Sequence, residues 1–198
     1  MLKALTIADS EKFLRQISSI VDFSDSELSQ NLKDIKEYCV NNNGLYAMAC
    51  IQLGIPKRIV YIKSTKPNDT TANAEKDQTL MINPRVLRKI GKTEFWEACV
   101  SGLTNFGLVE RPYKILVEYQ NENGQILTQW FEGFSATVVS HELDHLDGIF
   151  HMDRAKKLIQ MPASERVEFR KLHPYKIISK KCEFEYPQIK KPQIINEL

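Results

Sequence analysis

The sequence predicts an α+β fold, and three stretches carry that expectation. Leu28, Leu32, Ile35 and Cys39 recur at helical spacing. Ile115, Val117 and Tyr119 alternate like a half-buried strand, turn at Asn121-Glu122-Asn123-Gly124 and return over 126–131 as a hairpin. Directly behind that hairpin, residues 136–146 read as a helix, with Gly148 as its C-cap.

Taken in order, the elements follow from local chemistry. Ser24 and Glu27 form a capping-box pattern that predicts the first helix start, and Asn41-Asn42-Asn43-Gly44 stops that helix. Arg58-Ile59-Val60-Tyr61-Ile62 and Leu80-Met81-Ile82 read as strands, the second ended by Asn83-Pro84. Residues 64–79 between them are polar and predict an exposed loop. A further helix is expected near Ser164, running through Val167 and Phe169. From Cys182 the chain holds Pro187 and Pro192 and reads as extended. The expected organisation is one domain over 1–175 followed by an extended C-terminal tail, 176–198.

Composition excludes several classes. A chain of 198 residues, 42% hydrophobic, can bury one sizeable core. Its 27 basic and 25 acidic residues nearly balance, and the basic ones are scattered apart from short pairs such as Lys156-Lys157 and Lys190-Lys191. That argues against specific nucleic-acid binding. No apolar run approaches membrane-spanning length, and Met1-Leu2-Lys3-Ala4-Leu5 lacks the apolar stretch of a secretory signal. Cys39, Cys50, Cys99 and Cys182 are widely spaced without a disulfide-scaffold pattern, so a cytoplasmic location is expected.

The chemistry concentrates in His141-Glu142-Leu143-Asp144-His145. On a helix, residues four apart share a face, so both imidazoles can grip one metal ion while Glu142 takes a proton from a water held there. A catalytic site of this type needs a third protein ligand and an open position. Downstream, His151 and His173 stand in no recognisable spacing. Upstream, Glu97-Ala98-Cys99-Val100-Ser101 offers Cys99, which by itself reads more readily as a buried small apolar residue than as a ligand. Gln52 reads by itself as an ordinary polar residue at the start of a turn.

Three segments in order resemble the motifs of the peptide deformylases: Gly44-Leu45-Tyr46-Ala47-Met48-Ala49-Cys50-Ile51-Gln52, then 97–101, then 141–145. Ile82-Asn83-Pro84 and Gly148-Ile149-Phe150 add to the match. The resemblance implies antiparallel or mixed sheets wrapped around a central helix carrying His-Glu-x-x-His. It implies Cys99, His141 and His145 as ligands of one divalent metal, usually Fe(II), with Zn(II) or Ni(II) able to substitute. The implied reaction is removal of the formyl group from the N-terminal methionine of nascent peptides, releasing formate. Glu142 would move the proton, while the Gln52 side chain and the Val100 backbone N–H steady the oxyanion. The implied partner is an N-formylated peptide, as on nascent chains at the ribosome, and the implied state is a monomer.

The chain departs from the family's motifs at Ala98, Val100, Leu45, Ala47 and Cys50, and it places Phe106 where many bacterial members have an arginine. The substrate cleft is expected to be lined by Tyr46, Ala47, Phe95, Ala98, Phe134, Thr137 and Val138. Methyl groups at Ala47 and Ala98 are expected to narrow it or to strain a backbone that needs positive φ. Asp144 is expected to pair with Arg111. Other readings are a deformylase-like amidase of altered substrate, a His-Glu-x-x-His metallopeptidase with a non-cysteine third ligand, and a non-catalytic metal- or peptide-binding relative.

Overall fold

The computed structural model describes residues 2–42, 44–63 and 78–187 and the backbone of 193–194. Two helices lead, α1 (Ile7–Leu14) and α2 (Leu28–Asn41). α2 buries the expected stripe of Leu28, Leu32, Ile35 and Cys39 against Cys50, Leu53, Ile59 and Tyr61. Its start differs from expectation. The Ser24 N–H and hydroxyl both donate to Asp22 Oδ1, and the Glu27 N–H donates to Asp25 Oδ1. Aspartates thus build the turn before the helix, and no side chain caps it.

β1 (Ala47–Ala49), a 3-10 turn (Cys50–Leu53) and β2 (Ile59–Ile62) follow, and then β3 (Thr79–Ala98), which organises the sheet. β3 pairs with β2 over Thr79–Ile82 and with β5 (Lys114–Gln120) beyond it. Its far end pairs with β4 (Asn105–Arg111). The expectation that Asn83-Pro84 ends this strand is overturned. Asn83 adopts φ 53, and the register slips between Ile82 and Arg85. The strand bulges there and continues, a position that tolerates a proline without an N–H. The Asn83 carboxamide fixes the bulge through Val21 and Gln120. The loop expected over 64–79 lies outside the described residues except for its last two.

The hairpin forms as expected from β5 and β6 (Ile126–Glu132) and leads into α3 (Phe134–Leu146). From Ala136 to Leu146 every residue of α3 is buried, so this helix is the centre of the fold. Val139, Leu143 and Leu146 pack on Ile51, Val60, Ile62, Met81, Ile115 and Val117. Gly148 ends it in the left-handed region, φ 71, its N–H bonding to the His145 carbonyl and that of Ile149 to Asp144. A Cβ at Gly148 would lie 2.2 Å from the Arg15 carbonyl oxygen, so only glycine fits.

α4 (His151–Arg154), β7 (Ala155–Gln160), α5 (Ala163–Leu172), β8 (Lys176–Glu183) and β9 (Gln193–Ile194) complete the chain. β7 pairs with β4, and β8 with Ile90–Glu94 of β3. Past Glu94, β3 keeps β4 on one edge while β8 covers the other no further. Among the described residues no helix is long and apolar enough to cross a membrane.

Candidate metal centre and cleft

α3 carries His141 and His145 one turn apart, and the end of β3 delivers Cys99 to them. One donor atom from each lies within 4.8 Å of the others, and Cys99 Sγ is 3.2 Å from His145 Nε2. One thiol and two imidazoles match the donor chemistry of a divalent transition metal. No other set of three or more such residues gathers among the described residues. His151 and His173, the downstream candidates, stand outside the cluster. The His173 ring bonds to the Phe169 carbonyl. His151 stacks on His141 at 5.8 Å, bonds through Nε2 to the Asn105 carbonyl at 3.1 Å, and has its pKa pushed down by burial to about 3.

His141 is aimed by a buried charge network. Its Nδ1 lies 2.8 Å from Glu97 Oε2, which leaves Nε2 for an ion. Arg111, fully buried, grips both oxygens of Glu97 at 2.8 and 2.9 Å and also pairs with Asp144, as expected. Asp144 is held from the other side by Arg154 at 2.6 and 2.7 Å. Burial alone would raise the Glu97 pKa, but Arg111 and His141 hold it well below the usual carboxylate range. Burial likewise opposes the His141 imidazolium, yet Cys99 and Glu97 hold its pKa well above the ordinary value. Burial and the neighbouring His141 drive His145 well below it.

Glu142 sits among these groups with its pKa raised by burial to about 7. Its Oε2 is buried without a hydrogen-bond partner among the described residues, which leaves that oxygen able to meet a ligand in the cleft. Gln52 is fixed more firmly than a surface turn residue. Its Oε1 accepts from the Ala49 N–H at 3.0 Å, while Nε2 donates to Cys99 Sγ at 3.2 Å and Ser101 Oγ at 3.0 Å. The turn that places it was invisible in the periodicity of the sequence. Only its match to the motif singled it out.

A cleft of about 420 Å³ opens above these groups. It is lined by Tyr46, Ala47, Phe95, Ala98, Val100, Phe134 and Val138, together with Gln52, Cys99, His141 and Glu142. Phe134 meets Tyr46 and Phe95 edge-on, with centroids at 5.6 and 5.2 Å. Thr137 departs from expectation: it is buried on α3 and is not part of this lining. Ala47 and Ala98 line the cleft without strain, since among the described residues the non-glycine ones of positive φ are Asn83 and Leu103.

Phe106 departs as well. It is fully buried between Trp96 and Phe169 and contributes nothing to the cleft directly. Instead α5 supplies Ala163, Arg166, Val167 and Arg170 to the lining. The i, i+4 spacing of the two arginines on the anticipated helix is the signal in the sequence that points to them.

A buried His-Glu-x-x-His helix joined by a cysteine donor, inside an α+β fold, defines a metal-dependent hydrolase. The chain belongs to the polypeptide deformylase family, whose model matches residues 3–160. It is 33% identical to peptide deformylase 2 of Clostridium acetobutylicum, across 80% of this chain and 99% of the relative. It is 38% identical to peptide deformylase 1 of Prochlorococcus marinus, across 71% of this chain and 74% of the relative. Among solved structures, a probable peptide deformylase from Synechococcus phage S-SSM7 matches with TM-score 0.64 and 33% identity, covering 78% of this chain and 99% of that one. A Met-Ala-Ser-bound class I type b peptide deformylase from Acinetobacter baumannii matches with TM-score 0.68 and 26% identity, over 78% and 98%.

Proposed function

We propose that this protein hydrolyses the formamide bond of N-formyl-methionyl peptides, releasing formate and a free N-terminal amine. One observation carries the reading: Cys99, His141 and His145 gather beside a buried Glu142 whose Oε2 has no partner among the described residues, beneath a cleft of about 420 Å³. The metallopeptidase alternative requires a third ligand other than Cys99, and no such cluster forms among the described residues.

Cys99, His141 and His145 would hold one divalent ion. When bound, the ion supplies Lewis-acid polarisation of the formyl group and lowers the pKa of the attacking water. Glu142 takes the water proton as the oxygen attacks the formyl carbon, then delivers it to the amide nitrogen as the C–N bond breaks. The Gln52 Nε2 and the Val100 N–H donate to the oxyanion. Gln52 would spend the hydrogen that now meets sulfur, because a thiolate engaged with an ion is a poor acceptor and the Ser101 bond is the better one to retain. Among the described residues no strand covers the outer edge of β1 or that edge of β3 beyond Glu94, and such edges suit an extended peptide pairing as a strand. Tyr46, Phe95, Phe134 and Val138 form the apolar wall suited to a methionine side chain.

Fe(II) is the proposed physiological ion, with Zn(II) or Ni(II) able to replace it. The widely spaced cysteines and the family's substrates support action on nascent chains in the cytoplasm, and a monomer is proposed with it. The deciding experiment measures formate released from formyl-Met-Ala-Ser by anaerobically purified, iron-loaded protein. No formate, with iron bound at the three donors, would overturn the reading.

A further inference from the structure

The family model ends at residue 160, yet α5, beyond it, forms part of the cleft wall. Apolar packing brings it there. Phe169 meets Trp96 and Phe106 edge-on, with centroids at 5.1 and 5.5 Å. Ile159 and Met161 close the same small cluster. Phe106 is therefore the seat of α5, and an arginine at that position would remove it.

Two guanidiniums ride on this seat. Arg170 lies 4.9 Å from the Phe95 ring and 5.0 Å from the Phe106 ring, and Arg166 lies 5.7 Å from Phe106. Arg170 donates Nε and Nη2 to the Trp96 carbonyl at 3.0 and 2.9 Å. Arg166 donates Nε to Met161 at 3.1 Å and Nη2 to Leu103 at 2.6 Å. Each fork is held rigidly by neutral groups, and each Nη1 meets no acceptor among the described residues. Neither arginine has a carboxylate partner among them, whereas Arg111 and Arg154 of the network behind His141 both do. Burial lowers the Arg170 pKa more than Tyr46 and Glu97 raise it, so its charge stands partly desolvated. Glu97, the acid in the same lining, is already taken by Arg111.

We propose that Arg166 and Arg170 form a carboxylate subsite in the substrate cleft, recognising an acidic group of the peptide downstream of its formylated residue. The recognised carboxylate comes from either an acidic side chain or the peptide's own C-terminus. Preset, partly stacked guanidiniums lose little freedom on binding, and a charge-assisted contact strengthens where water is thin. The inference rests on the proposed deformylation for the identity of the ligand, while its geometry stands apart from the chemistry.

Three peptides test it with the iron-loaded protein: formyl-Met-Ala-Ser amide, formyl-Met-Ala-Ser with a free carboxylate, and formyl-Met-Ala-Glu amide. We expect kcat/KM to favour one or both carboxylate peptides over the neutral one by about tenfold, through KM and not kcat, with the margin shrinking as salt rises. The second and third peptides separate the two sources of the group. In Arg166→Gln and Arg170→Gln the ratio of acidic to neutral peptide should fall toward unity; Arg170→Lys should keep part of it. Should a glutamine variant fail to fold, the wild-type ratio and its salt dependence decide alone. Equal values for all three peptides overturn the subsite, as does a preference that survives both glutamine variants. If no peptide releases formate, the reaction assignment fails instead. The comparison then passes to binding of Met-Ala-Ser as free acid and as amide, where equal affinity overturns the subsite.

Discussion

Glu97 joins His141 to Arg111: one carboxylate accepts from the imidazole Nδ1 at 2.8 Å and from the guanidinium at 2.8 and 2.9 Å. Metal affinity and fold stability therefore share a residue. Glu97→Gln should weaken metal binding by about 10–100-fold, since the partner that aims the ring is lost. It should also destabilise the protein by about 3–5 kcal/mol, because Arg111 stays buried with its charge half-compensated. Competition with a chromophoric chelator and chemical denaturation measure the two effects. Wild-type metal affinity in this variant would show that Glu97 is structural alone.

Glu142→Gln should retain the metal and lose turnover by at least about 10²-fold, because the amide keeps the shape but cannot carry a proton. Metal content and formate release are measured on the same sample. Retention of more than about a tenth of wild-type turnover would remove Glu142 from the role of base.

The same residue makes a prediction about stability. Its pKa stands at about 7 in the fold against an ordinary value of 4.5, so folding favours the protonated form. That favourable contribution is complete below about pH 4.5, fades as pH rises, and is gone above pH 7, where a buried carboxylate must be ionised. In metal-free protein, Glu142→Gln should thus be more stable than wild type at pH 8, with a smaller margin at pH 5. Denaturant midpoints at the two pH values check it. An equal margin at both would mean that Glu142 does not titrate between them.

Phe106→Arg should harm the protein instead of restoring a substrate contact. The site is fully buried and lies beneath the guanidiniums of Arg166 and Arg170, so a third cation would be unpaired as well as misfitting. Lost aromatic packing and a buried charge together should cost at least about 3 kcal/mol. Thermal melting decides, and a variant as stable as wild type would mean that the position faces solvent.

Ala98→Gly and Ala47→Gly should give little. Neither alanine occupies the left-handed region, so no backbone strain awaits release. Glycine should cost about 0.5–1 kcal/mol of stability through added freedom in the unfolded chain. A gain in kcat/KM above tenfold in either variant would show that the methyl groups block the cleft.

The sequence was informative where pattern and chemistry coincided. Leu28, Leu32, Ile35 and Cys39 announced α2 because one face of a helix must be apolar, and the alternation at Ile115, Val117 and Tyr119 announced the hairpin for the same reason. The candidate donors His141 and His145 and the candidate base Glu142 were readable because helical spacing lets two imidazoles share one ion, whereas Cys99, which gathers with both histidines, was singled out only by the resemblance of its motif. What stayed hidden depended on tertiary contacts. Asn83-Pro84 reads as a stop unless Val21 and Gln120 are known to stabilise a bulge there. Phe106 reads as a lost charge until α5 is seen seated upon it. Thr137 shares a helix with Val138 but points elsewhere, and motif position alone does not settle which face meets the cleft.

The C-terminal segment reaches back to the heart of the molecule: the Tyr186 ring lies 3.7 Å from the Arg154 guanidinium and 6.0 Å from that of Arg111, and β8 covers an edge of β3. During synthesis this segment leaves the ribosome after every donor, Gln52 and the whole hairpin have emerged. The ligand triad can assemble on a growing chain, but the brace around Arg111 and Asp144 closes only once residue 186 is free. A chain trimmed before Tyr186 would keep every donor and every acid–base pair of the network, yet leave the Arg154 and Arg111 guanidiniums without the ring that covers them.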